Sequence, residues 1–296
     1  MIIRIILVIT RLLIRPFFLK KVPLKLVVIV VPLSTRSYLL ADEVVSLRHL
    51  CHFCGAYDKF LIVPPNFKLK INSFYLKVFS FKFFGSVTAH NRLLSSPRFY
   101  KFFSDYKYIF FYHLDSLVLS DKLEKWCKSG WDYIGAPFVP CYDTPWVKNA
   151  HVGNGGFALL NIENALKVIF LKYKHTPVTY WFDLYNRNGI IFNYWLIKIK
   201  WLNVFLPRLL IINRLFEEWQ KSENCMSGVQ NNDMFWSFMA CDFLTCFKVA
   251  TLKDGLDFAF EADPRRCLDL NEGRIPFGCH AWNRYDKYLW KKYLLF

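Results

Sequence analysis

The chain has 296 residues, 54% hydrophobic and 21% charged, with 12 Gly and 13 Pro; this excludes disordered, collagenous and low-complexity proteins and leaves a folded protein with a sizeable core. Its 39 Lys and Arg against 23 Asp and Glu give a net charge of +16, an excess that suits phosphates, whether of a nucleic acid, an anionic membrane surface or a phosphorylated substrate. Nine cysteines, an odd number scattered without the spacing of a small disulfide scaffold, point to reduced thiols in a cytosolic setting.

Residues 1–14 are rich in Ile and Leu but interrupted by Arg4 and Arg11, and Arg15, Lys20, Lys21 and Lys25 follow. The run is shorter than the ~20 apolar residues of a spanning helix, and it lacks the charge order and small-residue cleavage site of a signal peptide. Residues 1–23 therefore read either as a basic helix lying in a membrane interface or as a terminal helix packed on the domain. Residues 24–31 (LKLVVIVV) form an unbroken β-branched run closed by Pro32, as expected of a strand buried on both faces. Residues 41–54 have helical spacing, with Val44, Val45, Leu47, Leu50 and Cys51 on the apolar side, and residues 59–63 read as a second buried strand closed by Pro64 and Pro65. Strand, helix and strand at this spacing predict a βαβ unit, hence a Rossmann-like amino-terminal half with a parallel sheet and flanking helices. In the helix, Cys51-His52-Phe53-Cys54 has the spacing of half a zinc site but no second pair to complete it, so buried structural cysteines are expected.

A helix over residues 96–103 leads into an apolar strand, 108–115, that terminates in Asp115. An acid at the carboxyl end of a parallel strand sits where open α/β sheets bind ligands. A helix over 121–129, a short strand over 132–135 and a loop rich in Pro, Tyr and Trp follow. Gly153-Asn154-Gly155-Gly156 then permits close backbone approach before another strand; it is no Walker loop, and it reads as a turn or as a ligand-binding loop. Residues 190–212 are apolar but carry Lys198, Lys200, Pro207 and Arg208, which suits an amphipathic surface insertion. Asn231-Asn232-Asp233 opens a further helix, where Asp or Asn reads as a cap. No internal repeat or Ser/Gly linker interrupts the chain. One domain over residues 24–296 is expected, with a mostly parallel central sheet and a helical insertion at about 173–226.

Five motifs occur in order: Tyr112-His113-Leu114-Asp115, Trp131-Asp132-Tyr133-Ile134-Gly135-Ala136-Pro137, Gly153-Asn154-Gly155-Gly156-Phe157, Asn232-Asp233-Met234-Phe235-Trp236 and Phe277-Gly278-Cys279-His280-Ala281-Trp282. Together they resemble the family catalogued as domain of unknown function 5672, itself similar to GT-A glycosyltransferases, over about residues 24–293 and diluted between 162 and 227. The resemblance implies a single GT-A-like α/β domain that moves a sugar from a nucleotide-sugar donor to a hydroxyl of a glycan or lipid-linked acceptor, with a lean towards inversion. A divalent metal, Mn²⁺ or Mg²⁺, would neutralise the leaving diphosphate. Asp115 matches the metal-binding acid, although His-Leu-Asp stands where GT-A enzymes commonly carry Asp-x-Asp; His113 then reads as a nitrogen ligand or as a contact to the nucleotide.

The resemblance also casts His280 as the late histidine of the metal shell, against the plain reading of a core histidine, and Asp233 as the general base, against an N-cap. Asn154, Gly155 and Gly156 would line the sugar and acceptor side, and Trp146, Phe157, Trp236 and Trp282 would offer platforms for sugar faces. The implied location is cytoplasmic, peripheral on the cytoplasmic face of a membrane. Two other classes stay open: a metal-dependent phosphoryl-transfer or hydrolytic enzyme using Asp115, Asp233 and His280, and a membrane-associated sugar-nucleotide binder that has lost catalysis. No recognised nucleic-acid module accompanies the charge.

Overall fold

A computed structural model describes residues 24–33, 36, 38–145, 147–175 and 231–295, without the side chains of 172–175. The amino-terminal segment 1–23, Trp146 and the insertion from residue 176 onward, with its apolar stretch 190–212, lie outside the described residues.

Strand β1 (Lys25–Pro32) is followed by helix α1 (Ala41–Cys54) and strand β2 (Asp58–Val63), the βαβ unit that the apolar runs predict. Strands β3 (Tyr75–Val78) and β4 (Tyr106–Tyr112) extend the sheet on either side, with helices α2 (Val87–Leu94) and α3 (Pro97–Phe102) between them. Then come β5 (Leu117–Val118), α4 (Leu123–Cys127), β6 (Tyr133–Gly135), β7 (Pro137–Phe138), β8 (His151–Val152), β9 (Phe157–Asn161) and α5 (Ile162–His175). The central sheet has the order β3-β2-β1-β4-β9-β6; β9 alone runs against its neighbours, so the sheet is mixed but mostly parallel. Residues 27–31 of β1 are all buried, as the unbroken β-branched run requires of a central strand.

Helix α1 has the expected length but a different inner face. Ser46, Leu47, His49, Leu50 and Cys54 are buried, whereas Val44 and Cys51 are exposed. The cause is polar. Ser46 Oγ donates to Tyr112 Oη (3.0 Å), which in turn lies 2.8 Å from the Ser116 carbonyl. His49 Nδ1 lies 2.8 Å from the Val118 carbonyl while its Nε2 accepts from the Leu295 amide at 3.0 Å, so Nδ1 carries the proton. These bonds anchor the turn after β4 to the helix beneath it. Of the Cys51–Cys54 pair only Cys54 is buried, and all eight described cysteines are free thiols.

The carboxyl end of α1 is closed by Lys59, whose buried ammonium donates to the carbonyls of Gly55 and Tyr57 (2.7 Å each) and Cys54 (3.2 Å). A cation there satisfies carbonyls left open by the helix and opposes its dipole. Lys59→Met keeps the stem but strips those acceptors of their donor, and is expected to cost about 2–3 kcal/mol in urea unfolding.

Beyond residue 230, a helical run comprises α6 (Asn232–Met234), a π-helical turn (Phe235–Met239) and α7 (Ala240–Phe243). Helix α8 (Leu252–Phe258), strand β10 (Ala259–Phe260), helix α9 (Pro264–Leu270), strand β11 (Gly278–Cys279) and helix α10 (Lys287–Trp290) complete the chain. A second sheet, β10-β11-β5, pairs residues far apart in sequence: Cys279 with Leu117, antiparallel, and Phe260 with Cys279, parallel. Among the described residues no helix is long and apolar enough to cross a membrane.

Candidate metal centre

Four chain segments end at one place. Strand β4 stops at Tyr112, so Asp115 lies three residues past the strand, not on it as its apolar run suggests. The ladder continues one step beyond: the His113 amide donates to the Gly156 carbonyl (2.8 Å) where β9 begins. The turn over His113–Ser116 feeds β5, and because Leu117 faces Cys279 across the small sheet, Asp115 and His280 meet although 165 positions separate them. The parallel pairing of Phe260 with Cys279 places Glu261 on the other side of His280. Ala281 takes a left-handed backbone (φ 50°), a costly conformation for a residue with a β-carbon, and turns the chain away directly after His280.

His280 Nε2 lies 3.2 Å from Asp115 Oδ1, and its Nδ1 lies 2.9 Å from Glu261 Oε1. The His113 ring stands edge-on to His280 at 5.4 Å between centroids. One nitrogen from each imidazole and one oxygen from Asp115 lie within 4.8 Å of one another, and this is the one such group of His, Cys, Asp or Glu among the described residues. The Cys51–Cys54 pair belongs to none. Burial alone would depress the proton affinity of His280, but its contacts with Asp115 and Glu261 overcome that and raise its pKa to about 10. Burial acts in the opposite sense on Asp115, where His280 and His113 prevail and hold the carboxyl at about 2. Burial, then the neighbouring His280 and His90, lowers His113 to about 3, so that imidazole is neutral.

These groups fit a metal ion. The Nε2 of His280 is buried and, despite its nearness to Asp115, makes no aligned hydrogen bond. A metal would displace the second proton of His280, and Glu261, by accepting the hydrogen bond from Nδ1–H, would then leave the Nε2 lone pair for the ion, the arrangement that orients metal-binding histidines. Ligand bonds of about 2.1 Å put adjacent ligand atoms roughly 3 Å apart, the spacing of Asp115 and His280. Two imidazoles and one carboxylate suit Mn²⁺, Fe²⁺ or Zn²⁺ better than the oxygen-seeking Mg²⁺. Glu261→Gln is expected to weaken metal affinity about 10- to 100-fold while leaving the fold intact, as read by calorimetric titration with MnCl₂.

The glycine loop closes the centre from above. A β-carbon on Gly156 would sit 2.1 Å from His280 Nε2, and one on Gly155 would sit 3.1 Å from the Asp233 β-carbon. Asn154 is largely buried, and its Oδ1 accepts from the Gly156 amide (2.8 Å), so it shapes the loop. Asp233 is two residues inside its helix; Asn231 occupies the N-cap position, and the Asp233 carboxylate accepts from the Met234 amide at 2.7 Å. Burial, assisted by the charge of Glu261, lifts its pKa to about 6 against the pull of the Met234 and Gly155 amides.

Residues 73–280 match the sequence model of a family described as proteins of unknown function, DUF5672. The chain belongs to that family. The matched span covers the first four motifs and the fifth as far as His280, but it starts just before β3, so β1, α1 and β2 fall outside it, unlike the residues 24–293 suggested by the motifs alone. Curated proteins contain no match to the chain.

Three expected platforms are corrected. Trp236 is buried against Phe247 (5.9 Å, stacked) and Tyr100 (6.0 Å), and Trp282 is buried in the small core under β10 and β11; neither offers a face to a sugar. Phe157 is buried as well, packed against Phe110. Two residues near the centre carry no clear signal in the sequence. His90 on α2 stands edge-on to His113 (5.5 Å), with a buried Nε2 that lacks a hydrogen bond and a pKa pushed down by burial to about 4. Glu261 is the other. Its one hint is its place directly after a Phe-Ala-Phe run.

Proposed function

We propose that the protein is a GT-A-like glycosyltransferase that moves a sugar from a nucleotide-sugar donor to a hydroxyl of a glycan or lipid-linked acceptor at the cytoplasmic face of a membrane. One observation carries this reading. A His-Asp-His set with a buried imidazole nitrogen that makes no aligned hydrogen bond stands beyond the carboxyl end of a parallel strand, with a carboxylate of raised pKa across two neighbouring glycines. His113, Asp115 and His280 would hold a divalent transition metal, which when bound supplies positive charge to a departing diphosphate.

Asp233 takes the proton of the acceptor hydroxyl. As that oxygen forms its bond to the anomeric carbon, the bond from that carbon to the phosphate oxygen breaks, and the nucleoside diphosphate leaves with the electron pair. A carboxylate with a pKa of about 6 is well matched to proton abstraction, because it is ionised at neutral pH and more basic than an exposed aspartate. Gly155 and Gly156 let their loop approach Asp233 and His280 closely, and Asn154 fixes the loop that carries them.

A thermal-shift screen of UDP, GDP, CMP and their sugars, with and without Mn²⁺, tests the reading. One nucleotide class should raise the melting temperature, more so with Mn²⁺, and Asp115→Asn should abolish the metal-dependent part. No shift from any of them at millimolar concentration would overturn the assignment.

A further inference from the structure

Half of the net charge lies in one stretch. Residues 59–104 contain eight Lys and Arg and no Asp or Glu, against +16 for the whole chain. This stretch includes an edge of the central sheet, for among the described residues β3 pairs with β2 alone. Lys59 is buried under α1, but Lys68, Lys70, Lys82, Arg98 and Lys101 are exposed.

The same edge is apolar where a soluble surface would be polar. Tyr75, Leu76 and Val78 on β3, Phe81 in the 3₁₀ turn that follows it, Val87 at the start of α2 and Phe102 at the end of α3 are 42–70% exposed. Along β3 they alternate, with Tyr75 on one face of the sheet edge and Leu76 and Val78 on the other. Tyr75 and Phe102 both pack on Phe60 (5.1 and 5.9 Å), and Lys77 Nζ lies 3.5 Å above the Phe102 ring. An exposed edge strand normally carries charge without such side chains, because a bare apolar edge invites pairing with other chains.

We infer that this edge, from β3 through the Phe81 turn to Phe102, is a membrane-contact surface that seats the protein on anionic lipid. Lysines around exposed aromatic and aliphatic side chains match an interface in which apolar groups enter the headgroup boundary and cations meet lipid phosphates. Single-stranded nucleic acid would also use lysines and aromatic rings, but Leu76, Val78 and Val87 offer no π-face for a base, and burying them in lipid removes apolar area from water. The chain's own undescribed segments lack the complementary charge. Residues 1–23 carry five basic and no acidic residues, and residues 176–230 carry six basic against four acidic. This contact is independent of the glycosyltransferase reading and of any contribution from residues 1–23.

The test is cosedimentation of the full chain with DOPC vesicles and with 7:3 DOPC:DOPG vesicles, for the wild type and two variants. One variant replaces exposed apolar groups (L76S, F81S, V87S), and the other removes charge only (K68Q, K70Q, K82Q). The wild type should bind the DOPG vesicles selectively. The charge variant, whose changes lie on exposed side chains outside the strand, should lose about a hundredfold in partitioning. The apolar variant should lose at least tenfold. Undiminished binding by the charge variant, equal binding of the wild type to both vesicles, or retention of the wild type by poly(U) but not by vesicles would each overturn the proposal.

Discussion

Replacing Gly156 with alanine is expected to abolish binding of a metal at the proposed site. The new β-carbon would lie 2.1 Å from His280 Nε2 and 2.5 Å from two of its ring carbons, far inside van der Waals contact. Neither partner can step aside. Gly156 is pinned through its carbonyl, which accepts from His113, and through its amide, which donates to Asn154 Oδ1 (2.8 Å each); His280 is held by Glu261 at 2.9 Å. Relief requires the imidazole to leave its bond with Glu261 and its place beside Asp115. We expect a loss of at least 100-fold in Mn²⁺ affinity and about 1–3 kcal/mol of stability from overpacking. Gly155→Ala serves as the control: its β-carbon meets Asp233 at 3.1 Å, a tight but softer contact, so metal affinity should survive while any turnover suffers.

Asp233→Asn is expected to act in two directions at once. Under the proposed chemistry, donor binding persists because the amide has the carboxylate's shape and keeps an oxygen for the Met234 amide, whereas turnover falls ~10²- to 10⁴-fold with the loss of the base. Stability should rise. The native carboxyl has a pKa of about 6, above its ordinary 3.8, so between those values the folded state binds more protons than the unfolded state and stability declines as pH increases. Above pH 6 the full cost of a buried charge is present; near pH 4 it has vanished. The Asn variant should therefore be about 1–3 kcal/mol more stable than wild type at pH 8 and no different near pH 4, as read by denaturant unfolding at both pH values. Under the same proposed chemistry, wild-type activity should climb with pH through about 6 and then level, because the base must be ionised. An aspartate that is not the base would show the same trade of stability for charge, which follows from its raised pKa alone, but no turnover loss.

Much of the scaffold is legible in the residues. Strands β1, β2 and β4 are continuous apolar runs because they are buried on both faces, and their extents fall within two or three residues of the pattern. The inner face of α1 is not legible, because Ser46 and His49 are buried by hydrogen bonds to groups on β4, β5 and the carboxyl-terminal segment, which periodicity does not register. Strands β5, β10 and β11 have two residues each, too few for an alternating signature, yet their pairing brings Asp115, Glu261 and His280 together. The exposed edge strand β3 and helix α2 go unseen for a related reason: four residues without a buried face, and eight with a weakly apolar composition, carry little pattern. Composition misleads at the tryptophans. In a chain with 19% aromatic residues, rings fill the core first, and Trp236 and Trp282 do that.

The central claim is that His113, Asp115 and His280 form a metal site, and anomalous diffraction at the manganese edge from crystals soaked in MnCl₂ tests it most directly. One strong peak is expected about 2.1 Å from His280 Nε2, the usual length of a metal–imidazole bond, with an Asp115 oxygen and a His113 nitrogen at comparable distances. It should disappear in His280→Ala. Well-ordered side chains with no peak between them, or a peak that survives that substitution, would contradict the claim.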